Sequence, residues 1–151
     1  MEVLGPEPFD DWNADIAAKK CRGKRSPIKT TLLDQRFVVG VGNIYACEAL
    51  HNAGINPTKL ASKLVTKAGK PTKSLVRLVD EVKIVLNKAI AAGGSTLNDF
   101  ADVDGNLGYF SHHFTIYGRE DQPCLKEGCA GSVERIVQSN RSTFWCPRCQ
   151  K

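Results

Sequence analysis

Four cysteines within the last 28 residues constrain this chain more tightly than any other feature. They are spaced Cys124-x4-Cys129, then sixteen residues, then Cys146-x2-Cys149. Each close pair sits on a tight turn, so all four sulfurs can converge on one ion, and four thiolates in this pattern suit tetrahedral zinc. Gly128 and Gly131 relax the first turn, and the second reads CPRC. Redox cycling of the CPRC pair and iron–sulfur ligation are the competing uses of such thiols. Four sulfur ligands leave no open coordination position, so the metal is expected to hold structure. Between the pairs, residues 132–138 and 143–145 have strand composition, and Ser139-Asn140-Arg141 joins them. The expectation is a β-hairpin pinned at its base by one structural Zn2+, with Arg141 near its tip. A tail this small buries too little apolar surface to fold alone, so metal binding supplies folding energy.

The upstream part reads as helical. Leu75, Leu78, Val79, Val82, Val85, Leu86 and Ala89 recur at helical spacing between Pro71-Thr72 and Gly93-Gly94, which marks the longest helix. Shorter helices are expected on either side of the basic RGKRSP stretch. One is capped by Asp10 or Asp11 and runs through Trp12, Ile16 and Ala17 to about Lys20. The other starts at Ser26, with Pro27 in its first turn, and covers residues 28–35. Asn43 is the expected N-cap of a helix holding Ile44, Ala46, Cys47 and Leu50 and ending near Gly54, and Asn56-Pro57 is expected to open another through Leu60 and Leu64. After Gly94 the character changes: residues 95–122 carry Asp104-Gly105, Gly108 and Gly118 among scattered aromatics, a loop long enough to suggest function or disorder. The fold expected is therefore mainly α with a small β zinc finger, divided as 1–94, 95–122 and 123–151.

Charge sharpens the functional classes. The net charge is +5, yet Lys19, Lys20, Arg22, Lys24, Arg25, Lys29 and Arg36 lie in one stretch opposed only by Asp34. Such a concentration favours a polyanionic partner, most commonly nucleic acid. No apolar run approaches the ~20 residues of a membrane span, and the acidic start MEVLGPEPFDDW has no signal-peptide core, which favours the cytoplasm and no membrane partner. Cys47 falls in an apolar helical pattern and reads as core, and Cys21 carries no assigned role.

VVGVGNIYACEAL, residues 38–50, poses a separate question, because glycine loops that open helices often hold phosphates. A dinucleotide fingerprint would need a third glycine where Tyr45 stands, and no Walker loop occurs in the chain, so no nucleotide cofactor is expected. The local alternative is a tight turn before a capped helix.

Taken together, the basic stretch leading into IKTTLLDQRFVVGVGNIYACEALHNAGINP, the Gly-Gly-Ser-Thr loop, YFSHHFTIYGRE and the four-cysteine hairpin ending NRSTFWCPRCQK resemble the C-terminal half of bacterial formamidopyrimidine-DNA glycosylases. The resemblance spans essentially the whole chain. It implies a helix-two-turn-helix domain followed by a four-cysteine zinc β-hairpin, both gripping damaged double-stranded DNA. It implies that Lys29 and Arg25 contact the backbone, and that Asn43 with the Gly42 amide binds a phosphate. Arg141 would contact phosphate and take part in δ-elimination. Residues 95–117 would carry the loop that closes over an everted oxidised purine, with Tyr117 touching the strand. Full-length relatives would excise 8-oxoguanine and formamidopyrimidines, cleave the abasic strand by β,δ-elimination, and act as monomers.

The family's catalytic proline and glutamate, which the resemblance places at the enzyme's own N-terminus, have no match here. Pro6-Glu7 is preceded by five residues, so Pro6 has no free amine. The chain is expected to belong to a longer protein and to bind DNA without catalysis on its own. Two alternatives stand beside this: an endonuclease VIII-type enzyme for oxidised pyrimidines, and a non-catalytic zinc-ribbon DNA-binding module.

Overall fold

A computed structural model of the chain describes residues 5–91 and 114–151. Four helices, α1 (Ala14–Cys21), α2 (Ile28–Leu33), α3 (Asn43–Ala53) and α4 (Lys73–Ala91), with a 3-10 turn at Ala61–Leu64, precede a hairpin of β1 (Glu134–Gln138) and β2 (Arg141–Trp145). The fold is helical with a two-stranded antiparallel sheet, the class expected. The expected Gly93-Gly94 stop and most of the 95–122 segment lie outside the described residues.

α3 is the organising element. Tyr45, Ala46, Cys47, Glu48, Ala49, Leu50, His51 and Ala53 are all buried. A helix that is buried nearly all round needs partners on several sides. α4 supplies the largest, presenting Leu75, Leu78, Val79, Val82, Val85 and Leu86 as one stripe, and these join Leu50, Ala46, Ile28, Leu32 and Trp12 in a single core. The opposite side of α3 faces the hairpin, where Cys47 packs with Ile116, Val133, Phe144, Cys124 and Cys146 in a second, smaller cluster. α3 ends at Gly54, which adopts the left-handed conformation (φ 73°) that favours glycine at this position.

Helix starts differ from expectation in instructive ways. α1 is capped by Asn13, whose Oδ1 accepts from the Ile16 amide at 2.9 Å. Asp10 and Asp11 are instead held in a turn whose amides donate to the Glu7 carbonyl, and Trp12 precedes the helix as a core residue. Pro27, not Ser26, stands at the N-cap of α2. The residue at the N-cap of α3 is Gly42, and Asn43 is the first helical residue, with its side chain turned to other partners. Asn56 begins no helix: its Oδ1 accepts from the Thr58 amide and hydroxyl at 2.8 and 2.7 Å, which closes a local turn.

In the hairpin the tip is Ser139-Asn140, with φ values of 51° and 65°. Two left-handed residues in succession form the two-residue turn whose twist matches antiparallel strands. Arg141 therefore lies one residue past the tip, as the first residue of β2 paired with Gln138.

Candidate nucleic-acid interface

The start of α3 combines two sources of positive potential. Gly42 has no side chain to cap the helix, and among the described residues no side-chain cap bond is made there, so the first-turn amides carry the partial positive charge of a helix N-terminus. Gly42, Asn43 and Ile44 are each partly exposed. Beneath them lies the Lys29 ammonium, brought from α2. Its Nζ donates to Asn43 Oδ1 at 2.5 Å and to Thr143 Oγ1 at 2.8 Å. Asn43 Nδ2 in turn donates to the Ser142 carbonyl of β2 at 3.0 Å. Of the two glycines in this loop, Gly40 needs its freedom (φ 89°), while Gly42 has an ordinary extended backbone.

Lys29 is fully buried, at 0% exposure. Desolvation holds its pKa below the ordinary lysine value, with the nearby Arg141 charge adding to the effect and Cys47 opposing it. Arg141, exposed, directly precedes Ser142, whose carbonyl accepts from Asn43, and so stands beside the same corner of the molecule. Arg25, exposed, lies in the loop just before α2. Tyr117 is half-buried, its ring edge-on to Phe144 at 4.8 Å and to Phe114 at 5.9 Å. The basic stretch is thus not a uniform surface: Lys29 is internal, Lys20 Nζ donates to the Arg36 carbonyl at 2.6 Å, and Arg36 pairs with Asp34 at 3.0 Å.

The four cysteines of the tail converge as their spacing requires. Their sulfurs all lie within 4.8 Å of one another, with Cys124 and Cys149 at 3.8 Å and Cys129 and Cys146 at 3.7 Å. Tetrahedral zinc with Zn–S bonds of about 2.3 Å needs sulfurs about 3.8 Å apart, so the residues fit one Zn2+ with all four positions filled by protein. Burial raises the Cys124 and Cys149 thiols, whereas the Gly131 amide lowers Cys129. A cation at the centre reverses the first two, because zinc binds thiolates. Gly131 passes so close that an added Cβ would meet Cys146 Sγ and Arg148 Cβ, each at 2.7 Å.

Several anchors of this tail carry no sequence signature. The buried carboxylate of Glu48 accepts from the amides of Thr115, Ile116 and Tyr117 at 2.7, 2.9 and 2.9 Å and from the Thr115 hydroxyl at 3.0 Å. His51 lies between Thr115 Oγ1 at 3.2 Å and Cys124 Sγ at 3.3 Å. Gln150, 1% exposed, accepts from the Cys146 amide at 2.7 Å and donates to the Ile55 carbonyl at 2.8 Å. Lys126 donates to the His51 carbonyl at 2.6 Å. α3 and the zinc hairpin are therefore joined along the whole length of the helix.

Comparison with known proteins agrees with this architecture. Residues 4–101 match the formamidopyrimidine-DNA glycosylase H2TH domain, and residues 121–151 match the zinc finger found in FPG and IleRS. A formamidopyrimidine-DNA glycosylase of Bradyrhizobium sp. (strain ORS 278) is 52% identical over 152 aligned residues, covering all of this chain and 52% of that protein. Among solved structures, MutM in complex with carbocyclic 8-oxo-G containing DNA has a TM-score of 0.80 at 32% identity, over 98% of this chain and 51% of that one. Lactococcus lactis Fpg complexed with a FAPY-dG containing DNA gives the same TM-score of 0.80 and identity of 32%, with the same coverage of 98% and 51%. The chain spans about half the length of the relatives it matches.

Proposed function

This chain belongs to the formamidopyrimidine-DNA glycosylase family, and we propose that its 151 residues are the part of such an enzyme that grips damaged double-stranded DNA. The observation that carries this is the composite cationic corner. The uncapped start of α3, the ammonium of Lys29, the carboxamide of Asn43 and the exposed Arg141 of the zinc hairpin come together. Free helix amides with a cation behind them form an anion site, and the phosphate backbone is the anion a basic DNA-repair protein meets. Asn43 and the Gly42 amide would bind a phosphate of the lesion-bearing strand, with Arg25 and Tyr117 along its path. Lys29 would act from beneath, through Asn43 and by its field, since its burial leaves no open face in the free chain.

The full enzyme would remove oxidised purines and cleave the abasic strand by β,δ-elimination. Two of its solved relatives are complexed with DNA carrying carbocyclic 8-oxo-G or FAPY-dG, which fits the purine assignment, and Lactococcus lactis Fpg is also complexed with an oxidised pyrimidine containing DNA. Arg141 would contact the phosphate and serve δ-elimination. Base extrusion costs a few kcal/mol, and holding the strand on both sides of the lesion offsets it.

Asn43→Ala and Lys29→Ala test the grip by fluorescence anisotropy on a labelled duplex carrying one abasic analogue. Each is expected to weaken binding by a similar factor on every sequence, and Lys29→Ala to lower the salt slope by about 1. Unchanged affinity in both variants would refute the phosphate clamp.

A further inference from the structure

Thr143 and Gln138 form a polar chain that ends on the Lys29 ammonium. Thr143 is fully buried at 0% exposure, and its sequence separation from Lys29 is 114 residues. Its hydroxyl donates to Gln138 Oε1 at 2.8 Å. Gln138 is oriented in turn by donating Nε2 to the Pro57 carbonyl at 3.2 Å. That carbonyl also accepts from the Lys29 backbone amide at 3.3 Å, so the chain closes on the residue it serves.

The direction of these bonds matters. A hydroxyl has one proton. With that proton committed to Gln138, Thr143 faces Lys29 as an acceptor only. Reversing the Gln138 amide would point its NH2 at Thr143 and its oxygen at the Pro57 carbonyl, leaving two acceptors opposed. The network therefore admits one arrangement, and that arrangement favours a charged ammonium over a neutral amine. Burial works against the charge, as the lowered pKa of Lys29 indicates. Two of the three ammonium protons are then fixed, one on Thr143 and one on Asn43.

We propose that Thr143, oriented by Gln138, is a positioning residue for the DNA-binding corner: it holds Lys29 charged and aimed at Asn43 under the first turn of α3. Strand β2 of the zinc hairpin thus completes an anion site that otherwise belongs to the helical part, and the two halves of the grip work as one unit. The role rests on the DNA-grip assignment, with Asn43 and the α3 amides as the phosphate-binding groups.

The test is a double-mutant cycle in the 151-residue chain, read by anisotropy on the abasic-analogue duplex with zinc content measured in parallel. Thr143→Val keeps the shape and removes the hydroxyl. It is expected to weaken binding about tenfold, the lower end of what one lost hydrogen bond to a charged group costs, with zinc retained. Thr143→Ser should restore affinity to within about twofold, and Thr143→Val should have no further effect once Lys29 is alanine. A purely structural role would survive in that background and would not be rescued by serine. If Lys29→Ala weakens binding while Thr143→Val leaves it unchanged, the proposal is overturned and the grip assignment stands. If Lys29→Ala itself changes nothing, the grip assignment falls and the proposal with it. Should Thr143→Val lose zinc, Gln138→Met interrupts the same chain from its outer end. Weaker binding that disappears in the Lys29→Ala background supports the chain, and unchanged binding overturns it.

Discussion

Lys29 is a charge with no exposed surface, a placement that is strongly unfavourable unless the ammonium is well hydrogen-bonded. Thr143 and Asn43 supply those bonds. The residue has a titration consequence. Desolvation, with Arg141 adding to it, lowers its pKa from 10.5. A base with a lowered pKa gives up its proton at a lower pH than a free lysine, so its share of DNA affinity fades early as pH rises. Comparing the native chain with Lys29→Ala between about pH 7 and pH 10, the ratio of dissociation constants is expected to narrow toward one before the ordinary lysine value is reached. A constant ratio across that range would contradict the early loss of the Lys29 charge.

At the scale of elements, α3 serves three neighbours at once: α4 on one side, the hairpin on another, and a prospective phosphate at its start. The hairpin owes its shape to the four-sulfur cluster, and Gly131 packs directly against that cluster. Gly131→Ala would drive its Cβ into Cys146 Sγ. Zinc affinity is expected to fall about tenfold or more, the scale at which residues around a metal's ligands act. Competition with a chromogenic chelator measures this, and unchanged affinity would show that the turn yields freely.

The elements differ in how much of them the sequence reveals. α4 was legible because one helix buries one stripe, and periodicity reports that directly. The four cysteines were legible because the ligand spacing is local to each turn. Asn43 reads as a cap in the sequence because a local rule places any such residue at a helix start, whereas Gly42 holds that position. The actual partners of Asn43, Lys29 and Ser142, come from chain separations of 14 and 99 residues. Glu48 and the Gln150 bond to Ile55 leave no trace for the same reason, since these partners lie 68 and 95 residues away along the chain. The start of α1 was misplaced because Asp10, Asp11 and Asn13 are all good caps, and only the turn around Glu7 selects Asn13. The lesion-capping loop expected within residues 95–117 lies largely outside the described residues.

Over the whole molecule, no helix among the described residues is long and apolar enough to cross a membrane. A helical core and a zinc hairpin instead share one helix and one cationic corner. We expect the proline–glutamate pair that the resemblance assigns to the family's chemistry to lie outside these 151 residues. Borohydride reduction in the presence of an 8-oxoguanine duplex is therefore expected to trap no covalent complex with this chain. An adduct would reveal a nucleophile of its own.

The central claim, that the helical part and the zinc hairpin form one phosphate-gripping surface, is tested most directly by a salt titration of binding to the abasic-analogue duplex, before and after verified zinc removal. The zinc-loaded chain should lose affinity linearly on logarithmic axes as salt rises, with a slope reflecting several phosphate contacts. Both affinity and slope should fall when zinc is removed. Salt-independent binding, or a slope that survives loss of the metal, would contradict the account.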